Sequence, residues 1–174
     1  MKIYWHKISD KAKLPTKRAE DAGFDIYTIE DDILLMPLEK RLFRTGLAAA
    51  AEAGWWLMAM DRGSTGSRGI HTHCGIIDNG YRGEIFICLC NDNPYPVLFT
   101  SKANSPWIAD EAEYIDHEGK VCCGKIAYYP VTKGIAQIVP VPQPIVECVE
   151  ANDETWGELC HTERGEGKLG ASGK

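Results

Sequence analysis

Gly75-Ile76-Ile77-Asp78-Asn79-Gly80-Tyr81-Arg82-Gly83-Glu84-Ile85 is the stretch on which the reading of the chain turns. Two isoleucines run into Asp-Asn-Gly, residue types that tolerate positive φ and close tight hairpins. A strand then leaves through Glu84 to Cys90. Such a turn fixes one carboxylate, Asp78, beside an aromatic ring, Tyr81, and a guanidinium, Arg82. That set suits a general base above a ring-shaped ligand. Taken alone, Asp-Asn-Gly needs no role beyond the turn, so the rest of the chain has to decide.

Outward from the turn, short apolar runs alternate with Gly, Pro and charged turns. They are Ile3 to Ile8, Phe24 to Ile29, Ile33 to Met36, Arg41 to Leu47, Trp55 to Met60, Glu84 to Cys90, Val97 to Thr100, Lys125 to Val131, Ile135 to Val141 and Ile145 to Val149. Short, β-branched or aromatic runs at this spacing predict an all-β sandwich or barrel. No helical period is sustained. Ala48 to Ala53 has helix propensity but is too short to stand alone, and Gly54 stops it, so it reads as a strand end and turn. Residues 92 to 125 read as a loop-rich excursion with one short helix over Ile108 to Asp116.

The 174 residues suffice for one domain with a real core. A net charge of −6 argues against bulk nucleic-acid or anionic-membrane binding. No apolar run reaches a bilayer-spanning length and no secretory stretch opens the chain, so an intracellular, soluble protein is expected. Seven cysteines form no C-x-x-C pair, and reduced thiols are the expectation. Cys88 and Cys90 look like small strand side chains, while Cys122-Cys123 near His117 lacks zinc-site spacing.

Four further stretches carry chemistry. Residues 14 to 26 form a polar loop that enters a strand at Asp25, which could simply satisfy a turn. Arg62-Gly63-Ser64-Thr65-Gly66-Ser67-Arg68-Gly69 is either a flexible polar loop or an anion site, because small residues expose N–H groups and hydroxyls beside two arginines. It is no Walker A, since the Gly-Lys-Ser/Thr end is missing. Gln137 interrupts an apolar strand and needs a partner, backbone or ligand. The tail from Glu163 is Gly-rich and cationic, either a disordered end or an arm able to fold over phosphates.

In this order the stretches resemble the five motifs of trimeric dUTP diphosphatases. The motifs are Ala22-Gly23-Phe24-Asp25-Ile26, Arg62-Gly63-Ser64-Thr65-Gly66, Gly75 through Glu84, Ile135-Ala136-Gln137-Ile138 and Arg164 through Gly173. The resemblance covers nearly the whole chain, leaving an insertion at about 93–125 and a Gly-rich arm at about 163–174. It implies a β jelly-roll, a homotrimer with shared active sites, and hydrolysis of dUTP to dUMP and pyrophosphate with Mg²⁺. By resemblance, Asp78 would activate the attacking water and Asp25 would touch the metal through water. Tyr81 would pack under the deoxyribose, and main-chain groups around Gly75, Ile77 and Phe86 would read uracil. Arg62, Gly63, Ser64 and Gln137 would hold phosphates; Arg164 would reach the γ-phosphate. Leu169, Gly170 and Ser172 would complete the closing arm. No nucleic acid or membrane partner is implied.

Departures from the family pattern fall at Asp61, where a proline is usual, at Gly63 for serine, at Gly134 for arginine, and at Lys168-Leu169 for Gly-Phe. Leu169 would give apolar cover without aromatic stacking on the base. These departures raise a second reading, a nucleotide-sensing or partner-binding protein on the same scaffold; the retained Asp78 argues against it. A dCTP deaminase is disfavoured because its catalytic glutamate position is occupied by Cys88. A structural jelly-roll leaves the ordered motifs unexplained.

Overall fold

The computed structural model describes residues 1–104 and 109–162. In chain order its strands are β1 (Ile3–Lys7), β2 (Phe24–Ile26), β3 (Ile33–Leu35), β4 (Lys40–Arg44), β5 (Leu47–Ala51), β6 (Trp55–Met60), β7 (Ile70–His73), β8 (Ile76–Ile77), β9 (Phe86–Asn91), β10 (Val97–Thr100), β11 (Ala109–Ile115), β12 (Val121–Pro130) and β13 (Ala136–Pro142). One helical turn, α1 (Gly63–Gly66), separates β6 from β7. The architecture is the all-β jelly-roll type that the short, punctuated apolar runs predict. The chain divides into two units, Met1–Gln143 and Pro144–Lys174, and each is described by itself.

In the first unit four small sheets run β1-β5, β11-β12-β10-β3, β2-β13-β6-β8 and β4-β9-β7. Buried Ile26, Leu35, Phe43, Leu57, Ile87 and Phe99 fill the space between them. Phe43, Phe99 and Tyr129 form a row of tilted rings, with centroids 4.8 Å and then 5.3 Å apart. The alanine run is a strand, as expected: β5 pairs with β1 from Leu47 to Ala51, and Gly54 turns into β6 at φ 82°. The expected Arg41–Leu47 strand is broken by Gly46 at φ 66° into β4 and β5.

The decisive stretch is a bend between sheets, not a laddered hairpin. β8 pairs with β6, whereas β9 pairs with β4 and β7. Tyr81 N–H donates to Asp78 O at 3.0 Å, closing a β-turn in which Gly80 does not take the expected positive φ. Asn79 does the bracing instead. Its Nδ2 donates to Ala51 O, Glu52 O and Trp55 O at 3.2, 3.1 and 2.6 Å, fastening the bend to the β5–β6 turn.

The expected helix over Ile108–Asp116 is corrected to strand β11, hydrogen-bonded to β12 from Ala109 to Ile115. A segment this short lacks the length to hold a helix by itself. Here Glu111 faces Lys125 and Tyr114 faces Cys122 across the ladder, contacts only a strand provides. Asp116 closes the hairpin by accepting from Glu118 N–H and Lys120 N–H, both at 2.9 Å, with Gly119 at φ 80°. His117 turns to Glu39 at 2.8 Å while Cys122 Sγ sits 3.6 Å from Asp116, so the two do not converge on one centre. All seven cysteines are free thiols.

In the second unit, the strand expected over Ile145–Val149 is absent, and Ile145, Val146 and Val149 are exposed. Pro142 and Pro144 remove two backbone donors just ahead of it. Helix α2 (Asp153–Leu159) follows, capped by Asn152 Oδ1 accepting from Thr155 N–H at 2.8 Å, with Asp153 and Glu154 suiting its first turn. Among the described residues no helix is long and apolar enough to cross a membrane.

Candidate active site

Pairing across β2, β13 and β6 sets Asp25 beside Gln137 and Gln137 beside Met60, so that Arg62 comes off the end of β6 next to Asp25. Arg62 Nε donates to Asp25 Oδ1 at 2.7 Å and Nη2 to Asp25 Oδ2 at 2.8 Å, a two-point fork. Nη1 reaches Gly134 O at 2.9 Å, and Tyr129 Oη and Ser64 Oγ at 3.3 Å. Burial pulls the Arg62 pKa down, but Asp25 outweighs it and holds the guanidinium above its ordinary value. A cleft of about 650 Å³ opens over this pair, lined by Thr16, Lys17, Arg18, Asp21 to Gly23, Asp25, Arg62 to Ser64 and Gln137.

Two glycines make the packing feasible. A Cβ at Gly23 would stand 2.8 Å from Gln137 Oε1, and one at Gly134 only 3.0 Å from Asp25 Cβ and 3.3 Å from Arg62 Nε. The departure at 134 is thereby explained: the strand crosses too close to the Arg62–Asp25 pair for a side chain. Gln137 finds a backbone partner, donating through Nε2 to Asp61 O at 2.7 Å. The Asp61 carboxylate turns toward β7, with His71 Nδ1 at 2.8 Å from Oδ2 and Thr72 N–H donating to Oδ1 at 2.5 Å. Burial alone would raise its pKa, yet these bonds leave it lowered.

A second cavity of about 290 Å³ lies at the bend, lined by Leu42, Cys74, Ile76 to Asp78, Tyr81 and Glu84 to Phe86. Cys74, at φ 55°, and Gly75 carry the chain against β6. There a Cβ at Gly75 would meet Ala59 O at 2.5 Å. The Tyr81 hydroxyl donates to Glu84 O at 2.9 Å, and Gly83 leaves room for that ring. Glu84 accepts from Arg44 and from Gly46 N–H; burial acts to raise its pKa, but these partners leave it lowered. Arg82 folds onto the carbonyls of Asn79 and Tyr81 rather than onto Asp78. Asp78 itself is exposed.

The two cavities share no residue. Ile77 is level with Leu57, whereas Asp25 is level with Met60, three strands away across the sheet. Strand spacing makes that about 10 Å along the sheet and about 14 Å across it. A general base acts within about 3 Å, or through one water. One chain therefore brings Asp25, Arg62, Ser64 and Gln137 together, and separately Asp78, Tyr81, Gly75, Ile77 and Phe86, but not the two sets. Arg164, Leu169, Gly170 and Ser172 lie outside the described residues. Sequence reading missed Tyr129, hidden in an apolar run with no signal of its own, and His71, whose partner Asp61 was noticed only as a misplaced charge.

Residues 10–102 match the family model described as dUTPase. A deoxyuridine 5'-triphosphate nucleotidohydrolase of Nautilia profundicola is 32% identical over 178 residues, covering 100% of both chains. Its counterpart in Mycobacterium tuberculosis is 31% identical over 164 residues, covering 92% of this chain and 87% of that one. The solved dUTPase of Staphylococcus bacteriophage 80alpha with dUPNHPP superposes with a TM-score of 0.68 at 26% identity, covering 99% of each.

Proposed function

This chain belongs to the dUTPase family, and from that premise we propose that it hydrolyses dUTP to dUMP and pyrophosphate. The observation that carries the reading is the division of labour between the cavities. One, at Asp25 and Arg62, has the cations, hydroxyls and amide that suit phosphates; the other, at Asp78 and Tyr81, has the apolar walls and ring that suit a nucleoside. Their separation in one chain supports a homotrimer, in which the nucleoside cavity of one copy meets the phosphate cleft of another.

In the assembled site, uracil lies against the main chain at Gly75, Ile77 and Phe86, and Tyr81 packs under the deoxyribose, leaving no room for a 2′-hydroxyl. Ser64, Gly63 and Gln137 hold the phosphates beside Arg62. Arg164 reaches the γ-phosphate while Leu169, Gly170 and Ser172 cover the bound nucleotide. Asp78 takes a proton from water as its oxygen attacks the α-phosphorus. The bond from that phosphorus to the bridging oxygen breaks, and pyrophosphate leaves. Phosphoryl transfer needs little beyond such positioning and charge stabilisation.

The donor set fits Mg²⁺ in a limited way. Asp25 is a single carboxylate already forked to Arg62, and among the described residues no cluster of three or more His, Cys, Asp or Glu could cage a metal. A hard cation would be held by phosphate oxygens and reached by Asp25 through water. Bound so, it would neutralise charge on the phosphate chain.

The test is pyrophosphate release with Mg²⁺ from dUTP, dCTP, dTTP and UTP, with the mass of the assembly measured by light scattering. Release from dUTP alone by a trimer is expected. Tight dUTP binding without release would overturn the reaction and favour a sensor.

A further inference from the structure

Arg62 is held from three sides. Asp25 takes the Nε–H and one Nη2–H, and Nη1 is shared among Gly134 O, Tyr129 Oη and Ser64 Oγ. Only the second Nη2–H has no partner among the described residues. In this geometry Arg62 offers a phosphate one hydrogen bond rather than a fork, so its direction matters more than its charge. What fixes that direction is the Nη1 side.

Tyr129 is 1% exposed, a depth at which a phenol needs a hydrogen-bond partner. Its hydroxyl has two. It donates to Gly134 O at 2.6 Å, reaching across the turn from Pro130 to Lys133, and it accepts from Arg62 Nη1. The ring cannot swing, because it ends the row Phe43–Phe99–Tyr129 in the core. Gly134 cannot supply a side chain of its own, for a Cβ there already crowds Asp25 and Arg62. Burial also raises the Tyr129 pKa, which keeps the hydroxyl a donor.

We propose that Tyr129 is a positioning residue for the phosphate end of the site: its buried hydroxyl locks the Gly134 carbonyl, and the two together hold the Arg62 guanidinium in register with Asp25. The core's aromatic row thus terminates in a fixed polar contact one atom behind the cation that faces the phosphates. Removing the hydroxyl releases Gly134 O from its turn and lets Arg62 tilt off Asp25, while the nucleoside cavity at Asp78 and Tyr81 is untouched.

The proposal rests on the phosphate reading of the cleft, and Y129F tests it because phenylalanine keeps the ring packing. A lost hydrogen bond to a charged group corresponds to about a tenfold effect. We expect KM for dUTP to rise about tenfold, affinity for dUMP to stay at the wild-type value, and the melting temperature to move little. R62K should give a similar loss, and Y129F/R62K together no more than either alone. A merely structural Tyr129 would lower dUMP and dUTP affinity together, or make the two losses multiply, and either result overturns the proposal.

An independent readout is the Arg62 Nε–H resonance in a ¹⁵N–¹H spectrum, assigned by its disappearance in R62K. It should exchange slowly with solvent in the wild type and fast in Y129F. A wild-type Arg62 Nε–H exchanging as fast as that of exposed Arg18 refutes the clamp even if Y129F fails to fold. Absence of dUTP turnover by the wild type would sink the proposed reaction instead, and the resonance would still decide the clamp.

Discussion

Gly75→Ala tests how tightly the bend is pressed against β6. The added Cβ would stand 2.5 Å from Ala59 O, a backbone atom that cannot rotate away. Relief requires β8 and β6 to part by most of an ångström. That breaks the bond from Ala59 N–H to Gly75 O, now 2.7 Å. Overpacking costs about 1–3 kcal/mol, and a stranded donor in a half-buried ladder about 1–3 kcal/mol. Because Gly75 has no positive φ, alanine recovers about 0.4–1 kcal/mol through the unfolded chain. The net loss is about 2–4 kcal/mol, or about 5–12 °C in melting temperature for a chain of this size. Calorimetry on wild type and G75A gives the number, with G80A as control, since a Cβ at Gly80 meets nothing within 4 Å. The same displacement moves Ile77 and Asp78, so turnover should fall with stability. A G75A melting temperature equal to that of G80A, with turnover intact, would refute the close approach on which the nucleoside cavity is built.

Asp78→Asn should lower the turnover of dUTP by about 100-fold or more while dUTP affinity, measured calorimetrically, stays close to wild type; normal turnover would remove Asp78 from the role of base. Tyr81→Ala opens the wall under the sugar and should reduce the preference for dUTP over UTP by roughly tenfold or more, measured as a ratio of kcat/KM values. Asp61→Asn weakens the hold on His71 and Thr72 and should cost about 1 kcal/mol at neutral pH, discounted for partial exposure. The Asp61 pKa is lowered in the folded chain, so its stabilisation is present above the ordinary carboxyl range, near 4, and disappears as pH falls through the folded value. Melting curves of wild type and D61N should therefore converge in acid, and a gap that widens there would contradict the assigned contact.

The local grammar of the chain was legible where residues act through their own backbone. Ala48 to Ala51 paired as a strand because Gly54 ends the run, and the ordered motifs led to both cavities. Long-range choices were hidden. Asp78-Asn79-Gly80 carries every mark of a hairpin, but the partner of β8 is β6, and nothing near the turn says so. The acidic run at Glu111 and Glu113 looked helical until Lys125 and Cys123 stood opposite it. Arg62 read as a free cation for phosphates, yet its first partner is Asp25, 37 residues away. Tyr129 could not be singled out, since a buried phenol and a buried core ring have the same neighbours in sequence. Asp61, by contrast, was flagged as an intruding charge, and the structure gives the reason for it: the carboxylate secures β7 and faces away from the loop.

The amide of Asn79 has a consequence for how the protein ages. Asn-Gly is the dipeptide most prone to deamidate, because the glycine nitrogen can swing onto the asparagine side chain and close a ring. Here that side chain is occupied by three carbonyls, Ala51, Glu52 and Trp55, and is held away from the attack. The folded bend therefore protects its own weakest bond, and each excursion that frees Asn79 exposes it. An aspartate formed there would set anionic oxygen against three carbonyls that expect donors, so the damaged turn could not regain its seat. Chemical wear at one nitrogen would accumulate as loss of the nucleoside cavity, and its rate would serve as a clock for how often the bend opens.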